Sequence, residues 1–473
     1  MEKIIGLARC TLMLLSLTIA VIPCFSQNPN IILIMTDDQG WGDVGFNGNT
    51  KVQTPHLDGL AKHGIILDRF YSASPVCSPT RASVLTGQNP FRLNIPHANT
   101  GHLAEEEITL PELLRSIGYQ NGFFGKWHLG TLTTKRRDSN RGGKQDQSQH
   151  YSIPTMHGFD VFFCTEAKVP TYDPMLFPTQ MEGGESKRYG WKSRAQSVAM
   201  QPYGTSYWND GEVQATSNLT GDDSRIIMDR VLPFIESAAT EGSPFFTAIW
   251  FHTPHLPVSA DSSHRGLYTD LSEREQLYYG SITAMDEQVG RLWSRLEELG
   301  IADETMLWFC SDNGPENDTP GTAGRFRERK RSLYEGGVRV PAFVIYKNNF
   351  PGGIRMKFPA VTSDYLPTIV DILRIDHSSQ PLLDGESILP LLLGKTKKRE
   401  KAVGFLFEEK ISWVKDRYKL ISTDGGLTFE LYDLVKDQAE TKNIITRRPK
   451  KVIGMKSELD NWMASVAESQ KLR

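Results

Sequence analysis

Four stretches of this chain share one design, a short apolar run that ends abruptly in polar residues. "IILIMTDDQG" runs from Ile31 into Asp37 and Asp38, and "GFFGKWHLG" runs from Phe123 into Lys126 and His128. "FFTAIWFHTPHLP" runs from Phe245 into His252 and His255, and "MLWFCSDNG" runs from Met306 into Asp312 and Asn313. Runs of this length, separated by helical patterns, read as strands buried on both faces of a parallel sheet. "TLPELLRSIGY", ending at Tyr119, and "AMDEQVGRLWSRLEELG", stopped by Gly300, read as two of the helices. In an open α/β sheet the carboxyl ends of the strands line the ligand crevice. If the four runs share a sheet, their polar ends converge on one site.

At 473 residues the chain exceeds one simple core, and two to three domains are expected. A net charge of −3 provides no global field for nucleic acid. Residues 1–26 read as an export signal, with Lys3 and Arg9 before the apolar stretch Thr11 to Ile22 and Ser26 before a cut. That stretch is short for a membrane span. Residues 131–150 read as a polar surface loop. Residues 164–220, with weak periodicity and many Pro, Gly and Tyr, read as a long insertion near the site. Asn218 and Asn317 fit glycan acceptors. After about residue 390 the charged linker "GKTKKREK" leads into four short strands, "AVGFLFE", "ISWVK", "RYKLIS" and "TFELYDL". A final helix carries Val452, Met455, Leu459, Trp462, Met463 and Val466 on one face. The expected division is a leader over 1–26, a main domain over 27–395 and a small sheet-and-helix domain over 396–473.

Cysteine usage isolates one residue. Of five cysteines, Cys10 and Cys24 lie in the leader, so Cys77, Cys164 and Cys310 allow at most one disulfide. Cys310 sits in an apolar run and reads as packing. Cys77 has no such role. In "PVCSPTRASVLTG", Ser78 or Cys77 reads as a helix cap, Pro79 as the first helical residue and Gly87 as the stop. Cys77 then lies at a helix amino end, where an anion is favoured, with Arg81 one turn on. Asp37, Asp38, Asp312 and Asn313 offer oxygen ligands that suit Ca²⁺ or Mg²⁺ and not zinc. Lys126, His128, His255 and Lys330, with Arg81, could hold a small dianion. Each of these residues also has an ordinary reading as a cap, a solvated lysine or a surface charge. For "RFRERKRSLYEGGVRVP" a solvated face is expected, with one or two cations turned inward. His252 reads as structural.

These residues carry a resemblance. "CSPTR…LTG" resembles the C-x-P-x-R activation motif of the type I, formylglycine-dependent sulfatases. "IMTDDQGWGDVG", "GKWHLG", "HTPHLP", "CSDNG", "KRSLYEGGVRVP" and "LLDGESILPLL" resemble that family's successive motifs, in order and spacing. The similarity runs from about Asn30 to about Asn443 and is nearest to the arylsulfatase and N-acetylgalactosamine-6-sulfatase group. It implies an alkaline-phosphatase-like α/β core, with a mixed, mostly parallel sheet between helices and a small C-terminal antiparallel sheet. In that family the motif cysteine is oxidised to formylglycine, whose hydrate is the nucleophile. By position Cys77 would be that residue, and it would join Asp37, Asp38, Asp312 and Asn313 around one Ca²⁺, in preference to Mg²⁺. Arg81 and Lys126 would hold the hydrate, and His128 would be the base that later breaks the hemiacetal. His255 and Lys330 would bind sulfate and assist the leaving oxygen.

The implied partners are a sulfated sugar or polysaccharide and a formylglycine-generating enzyme, with no nucleic acid and no membrane span. The implied location is periplasmic or extracellular, or lysosomal in a eukaryote. Thr80 replaces the commoner serine, and Gln88-Asn89 replaces an arginine–tyrosine type ending that bears on the modification. Three competitors remain: a phosphatase, phosphodiesterase or phosphonate hydrolase of the same fold; an inactive glycan-binding protein; and a hydrolase using the Cys77 thiol, whose pKa a helix amino end would lower.

Overall fold

A computed structural model of the chain describes residues 28–135, 150–179, 199–376 and 382–472. The leader and most of the 131–150 loop lie outside the described residues. All four apolar runs are strands. Among the described residues thirteen strands precede the C-terminal sheet: β1 (Asn30–Thr36), β2 (Ile65–Tyr71), β3 (Gln120–Lys126), β4 (Val161–Thr165), β5 (Leu176–Pro178), β6 (Met200–Pro202), β7 (Tyr207–Asn209), β8 (Val213–Gln214), β9 (Phe245–Trp250), β10 (Thr305–Ser311), β11 (Arg339–Val340), β12 (Ala342–Ile345) and β13 (Ile354–Val361). Eleven of them form one mixed sheet in the order β11-β2-β12-β10-β1-β9-β3-β4-β7-β8, with β13 beside β2, while β5 and β6 pair separately. The central strands β10, β1, β9, β3 and β4 run parallel.

Alternate residues of these strands enter opposite cores, because strand side chains alternate between faces. Ile31, Leu33 and Met35 of β1, with Met306, Trp308 and Cys310 of β10, pack on one face. That face is covered by helices α2 (Cys77–Thr86), α3 (Leu110–Arg115) and α6 (Tyr365–Leu373). Ile32, Ile34, Leu307 and Phe309 pack on the other face against α1 (Pro55–His63), α4 (Asp223–Glu241) and α5 (Glu273–Glu298). Both faces are therefore covered, which is why the strand runs are continuously apolar.

One expectation gains detail and one changes. Within the expected insertion 164–220 the described residues contribute β7 and β8, and β7 pairs antiparallel to β4 with Cys164 opposite Trp208. Strands of two or three residues are too short to show a periodic pattern. Helix α2 begins at Cys77 itself, with the extended Val76 as its cap and Pro79 inside its first turn; Gly87 closes it at φ 69°.

The C-terminal segment forms an antiparallel sheet of β14 (Val403–Phe407), β15 (Lys410–Lys415), β16 (Tyr418–Ser422) and β17 (Glu430–Asp433). Helix α7 (Pro449–Lys471) buries Met455, Leu459 and Val466. A fully buried ion network joins this sheet to the main one. The Lys419 ammonium lies 3.1 Å from Glu335 and 3.0 Å from Glu440. Glu335 also takes Arg339 at 3.2 Å, and Arg339 reaches Asp68 at 3.0 Å. Burial pushes the Glu440 carboxyl up to about 7, with Lys419 opposing the rise.

Removing one partner of a buried ion cluster leaves an uncompensated charge. Lys419→Met is therefore expected to cost about 3–5 kcal/mol of stability. Chemical denaturation of the full chain measures it, and an unchanged midpoint would show that Arg339 alone neutralises the cluster.

Candidate active site

The ends of the central strands are aligned by register. Thr36 lies opposite Ser311, Met35 opposite Trp250, Gly125 opposite Trp250 and Lys126 opposite Thr165. Pairing continues one step beyond the strands, where the Asp312 N–H donates to the Thr36 carbonyl and the Asp37 N–H to the Thr253 carbonyl, each at 3.0 Å. Asp37, Asp38, Asp312, Asn313, Lys126, His128 and His255 therefore leave the sheet at one edge. Gly125 makes part of this possible. It adopts φ 108°, and a β-carbon there would sit 2.0 Å from the Trp250 carbonyl oxygen.

Three buried ion pairs build the centre. Lys126 Nζ lies 2.6 Å from Asp37 Oδ2, Arg81 Nη2 lies 2.6 Å from Asp312 Oδ2, and Lys330 Nζ lies 2.5 Å from Asp38 Oδ1. Arg81 also donates to the Lys126 carbonyl at 2.9 Å, and its guanidinium sits 5.3 Å from the centroid of the Trp250 ring. Lys330 comes from the cationic stretch and is fixed by its N–H to the Pro315 carbonyl. His255 points Nε2 at Asp38 Oδ2, 3.5 Å away, and Nδ1 contacts the Leu256 carbonyl at 2.6 Å. His128 adopts a left-handed backbone at φ 58°, and its Nε2 contacts Asn99 Oδ1 at 2.7 Å. The Ser78 hydroxyl donates to the His128 carbonyl at 2.6 Å, which ties the start of α2 to the end of β3. His252 is buried between Asp223 and Thr165, at 2.8 and 2.7 Å, in a structural position.

The charges shift one another. Burial alone would raise Asp37, but Lys126, His255 and Arg81 hold it well below the carboxylate range. Burial, reinforced by Asp37, pushes Asp312 up to about 7 against Arg81. Burial lowers His255 to about 3 against the pull of Asp37 and Asp38. Burial also raises the Cys77 thiol above its ordinary value, with Lys126 and Lys330 opposing. A nucleophilic thiol needs the reverse, so this environment does not suit thiolate chemistry.

The donors fit a hard cation. Asp37 Oδ1, Asp38 Oδ2 and Asn313 Oδ1 are buried acceptors without a hydrogen-bond donor. Ligand atoms of Asp37, Cys77 and Asp312 lie within 4.8 Å of one another, as do those of Asp37, Asp38 and His255. Oxygen-rich sets of this kind suit Ca²⁺ or Mg²⁺. Among the described residues these two groups are the candidates, and they share Asp37, so they form one centre.

Sequence reasoning missed Lys168. It lies in the loop after β4, two residues beyond Glu166, whose carbonyl accepts the His128 N–H at 2.9 Å. Burial first, then Lys126 and Lys330, push its ammonium below the usual range. The signal was present: "VFFCTEAK" is a fifth apolar run ending in charge. Arg331, paired with Glu316 at 2.6 Å, was likewise not singled out from its cationic stretch.

Comparison with known proteins agrees with this geometry. A family profile described as Sulfatase matches residues 29–375, and one described as N-sulphoglucosamine sulphohydrolase, C-terminal, matches residues 323–468. The N-acetylgalactosamine-6-sulfatase of Mus musculus is 31% identical over 384 residues, covering 78% of this chain and 66% of the relative. Arylsulfatase G of Mus musculus is 29% identical over 399 residues, covering 78% of this chain and 70% of the relative. The chain thus spans about two thirds of the length of these relatives. The crystal structure of Ps i-CgsB in complex with k-i-k-neocarrahexaose matches with a TM-score of 0.76 at 25% identity, over 92% of each chain. The chain belongs to the sulfatase family of sulfuric ester hydrolases, and its fold is the alkaline-phosphatase-like one.

The orphaned oxygens predict cation-dependent stability. After chelation, adding Ca²⁺ at a hundredfold its dissociation constant should stabilise the protein by about 2.7 kcal/mol. Thermal unfolding reads this without reference to activity, and Asp37→Asn should lose most of the gain. Absence of any shift with Ca²⁺ or Mg²⁺ would mean that the lysines and Arg81 alone neutralise the carboxylates.

Proposed function

We propose that this sulfatase hydrolyses sulfate esters of a sulfated carbohydrate at Cys77, oxidised to formylglycine, beside one Ca²⁺. The observation that carries the reading is the cluster of three carboxylates and three cations around residue 77, at the aligned ends of parallel strands. The names of the relatives support the carbohydrate, since one acts on N-acetylgalactosamine 6-sulfate and a similar structure holds a neocarrahexaose. Modification needs a formylglycine-generating enzyme, and Pro79 and Arg81 are part of what such an enzyme reads. Export rests on the leader, which lies outside the described residues. Among the described residues no helix is long and apolar enough to cross a membrane.

The oxygens of Asp37, Asp38, Asp312 and Asn313 would hold the Ca²⁺, which supplies positive charge beside the nucleophile and the sulfuryl oxygens. Formylglycine supplies a hydrate with two hydroxyls on one carbon, one to attack sulfur and one to expel sulfate afterwards. Arg81 and Lys126 keep residue 77 within a fixed positive field, which stabilises charge that grows on the sulfuryl oxygens. His128, whose Nε2 contacts Asn99, would take a proton from the second hydroxyl. Lys330 and His255 flank Asp38 at 2.5 and 3.5 Å and would bind sulfate and assist the leaving oxygen, the bound ester's negative charge favouring the protonated imidazole that a proton donor needs. Lys168, half-buried and near enough to Lys126 and Lys330 to feel their charge, would add a cation for the incoming ester.

Mass spectrometry of the peptide containing residue 77, with an aldehyde-reactive probe, tests the nucleophile. Fully active protein carrying only an intact thiol there would overturn it. The leaving-group role separates the remaining residues. A sugar alkoxide needs a proton as the S–O bond breaks, and a nitrophenolate needs little help. His255→Ala should lower kcat/KM on sugar sulfates by about a hundred- to ten-thousand-fold, and far less on nitrophenyl sulfate. Arg81→Ala should depress both alike. Equal losses on the two substrates in His255→Ala would assign the proton to Lys330.

A further inference from the structure

Two adjoining cavities open on the C-terminal sheet, and Tyr418 lines both. One, of about 630 Å³, lies at the amino end of α7 and is lined by Arg447, Arg448, Lys450 and Lys451. The other, of about 560 Å³, is lined by Lys357, Lys397, Lys398, Arg399 and Arg417, with Asp416 as the one carboxylate against these five cations. The Tyr418 ring lies between them, with Arg417 at 5.7 Å and Lys451 at 5.4 Å from its centroid.

This charge is not compositional, because the whole chain carries −3. Nor is it balanced locally. Lys415 pairs with Glu458 and Arg417 with Asp433. Lys357, Lys397, Lys398, Lys450 and Lys451 are exposed, with no carboxylate among the described residues in ion-pair reach. The helix breaks a local rule as well. Amino ends favour acidic residues, because the backbone N–H groups already carry positive charge. The first turn of α7 has no acidic residue and carries Lys450 and Lys451, after Arg447 and Arg448. Such an arrangement costs stability, and departures of this kind concentrate at functional or strained sites.

We propose that this surface is a non-catalytic docking groove for a sulfated polysaccharide, a reading that rests on the sulfated-carbohydrate function above. The ligand must be a linear polyanion, since a compact anion fills one cavity and leaves the other. A single aromatic ring between two cation clusters offers a platform for one sugar face. Single-stranded nucleic acid would call for a series of stacking rings, and an anionic bilayer, which the exposed Val435 and Ile453 beside these lysines would also meet, is separated by the vesicle arm of the test.

The test uses the full-length enzyme and immobilised carrageenan, with duplex DNA and phosphatidylserine vesicles as alternative probes. Wild-type binding should weaken steeply with salt. Combining Lys397→Glu, Lys398→Glu, Lys450→Glu and Lys451→Glu should lower carrageenan affinity by about tenfold or more. Turnover of nitrophenyl sulfate, which is too small to reach the groove, should remain unchanged in that variant. The corresponding Gln variant replaces it if charge reversal impairs folding. Equal retention of variant and wild type would overturn the proposal, as would tighter binding of DNA or vesicles at the same ionic strength. Failure of the sulfatase reading would appear separately, as absent turnover of nitrophenyl and sugar sulfates by wild type.

Discussion

Six charged groups are removed from water at the centre of this molecule, and the fold depends on their mutual neutralisation. An isolated buried charge costs several kcal/mol even after relaxation. Each pair therefore fixes the relative position of two elements: Lys126 with Asp37 joins the ends of β3 and β1, and Arg81 with Asp312 joins α2 to β10. Lys330 with Asp38 draws the 315–334 loop over the strand ends. Backbone in sparsely populated conformations, at Asp38 with φ 64° and at His128 with φ 58°, persists here because the surrounding pairs over-determine it.

The same balance bears on the proposed chemistry. With all three carboxylates ionised, as a bound cation would require, they cancel the three side-chain cations, and a divalent cation would leave two positive charges. A sulfate ester carries one negative charge and an ionised nucleophile carries another, so the loaded centre returns to neutrality. A phosphate monoester near neutral pH carries close to two charges and would leave an excess negative charge in a buried, low-dielectric site. The arrangement thus favours ester monoanions.

Much of the site was legible because strand ends in a parallel sheet converge as a matter of topology. Asp37, Lys126, His255 and Asp312 each follow a continuous apolar run, and the register of β1, β3, β9 and β10 brings them to one edge. Lys330 stood out through its motif and not through any strand pattern, since the loop carrying it has no regular period. Lys168 was hidden because "VFFCT" adjoins a stretch rich in Pro, Gly and Tyr, and its short partner strand β7 has too few residues to display alternation. The cap of α2 was misread because serine and proline chemistry points to Ser78 and Pro79, whereas burial lets the extended Val76 end the preceding segment. Contact between the two sheets was not legible at all, because the Lys419, Glu335 and Glu440 network joins residues distant in sequence and shows no local period.

The protein thus carries cations in two regimes that respond differently to their surroundings. Arg81, Lys126 and Lys330 are buried and paired, so salt screens them little, and their placement fixes the geometry of the strand ends. The lysines around Tyr418 are exposed, so a Debye length of about 8 Å at physiological ionic strength limits them to short-range, salt-sensitive attraction. A polymer held on the outer groove would meet the buried centre at an effective concentration set by the chain between the two contacts. Turnover of long substrates would then fall with ionic strength, while turnover of small esters, which sense only the buried pairs, would stay nearly constant.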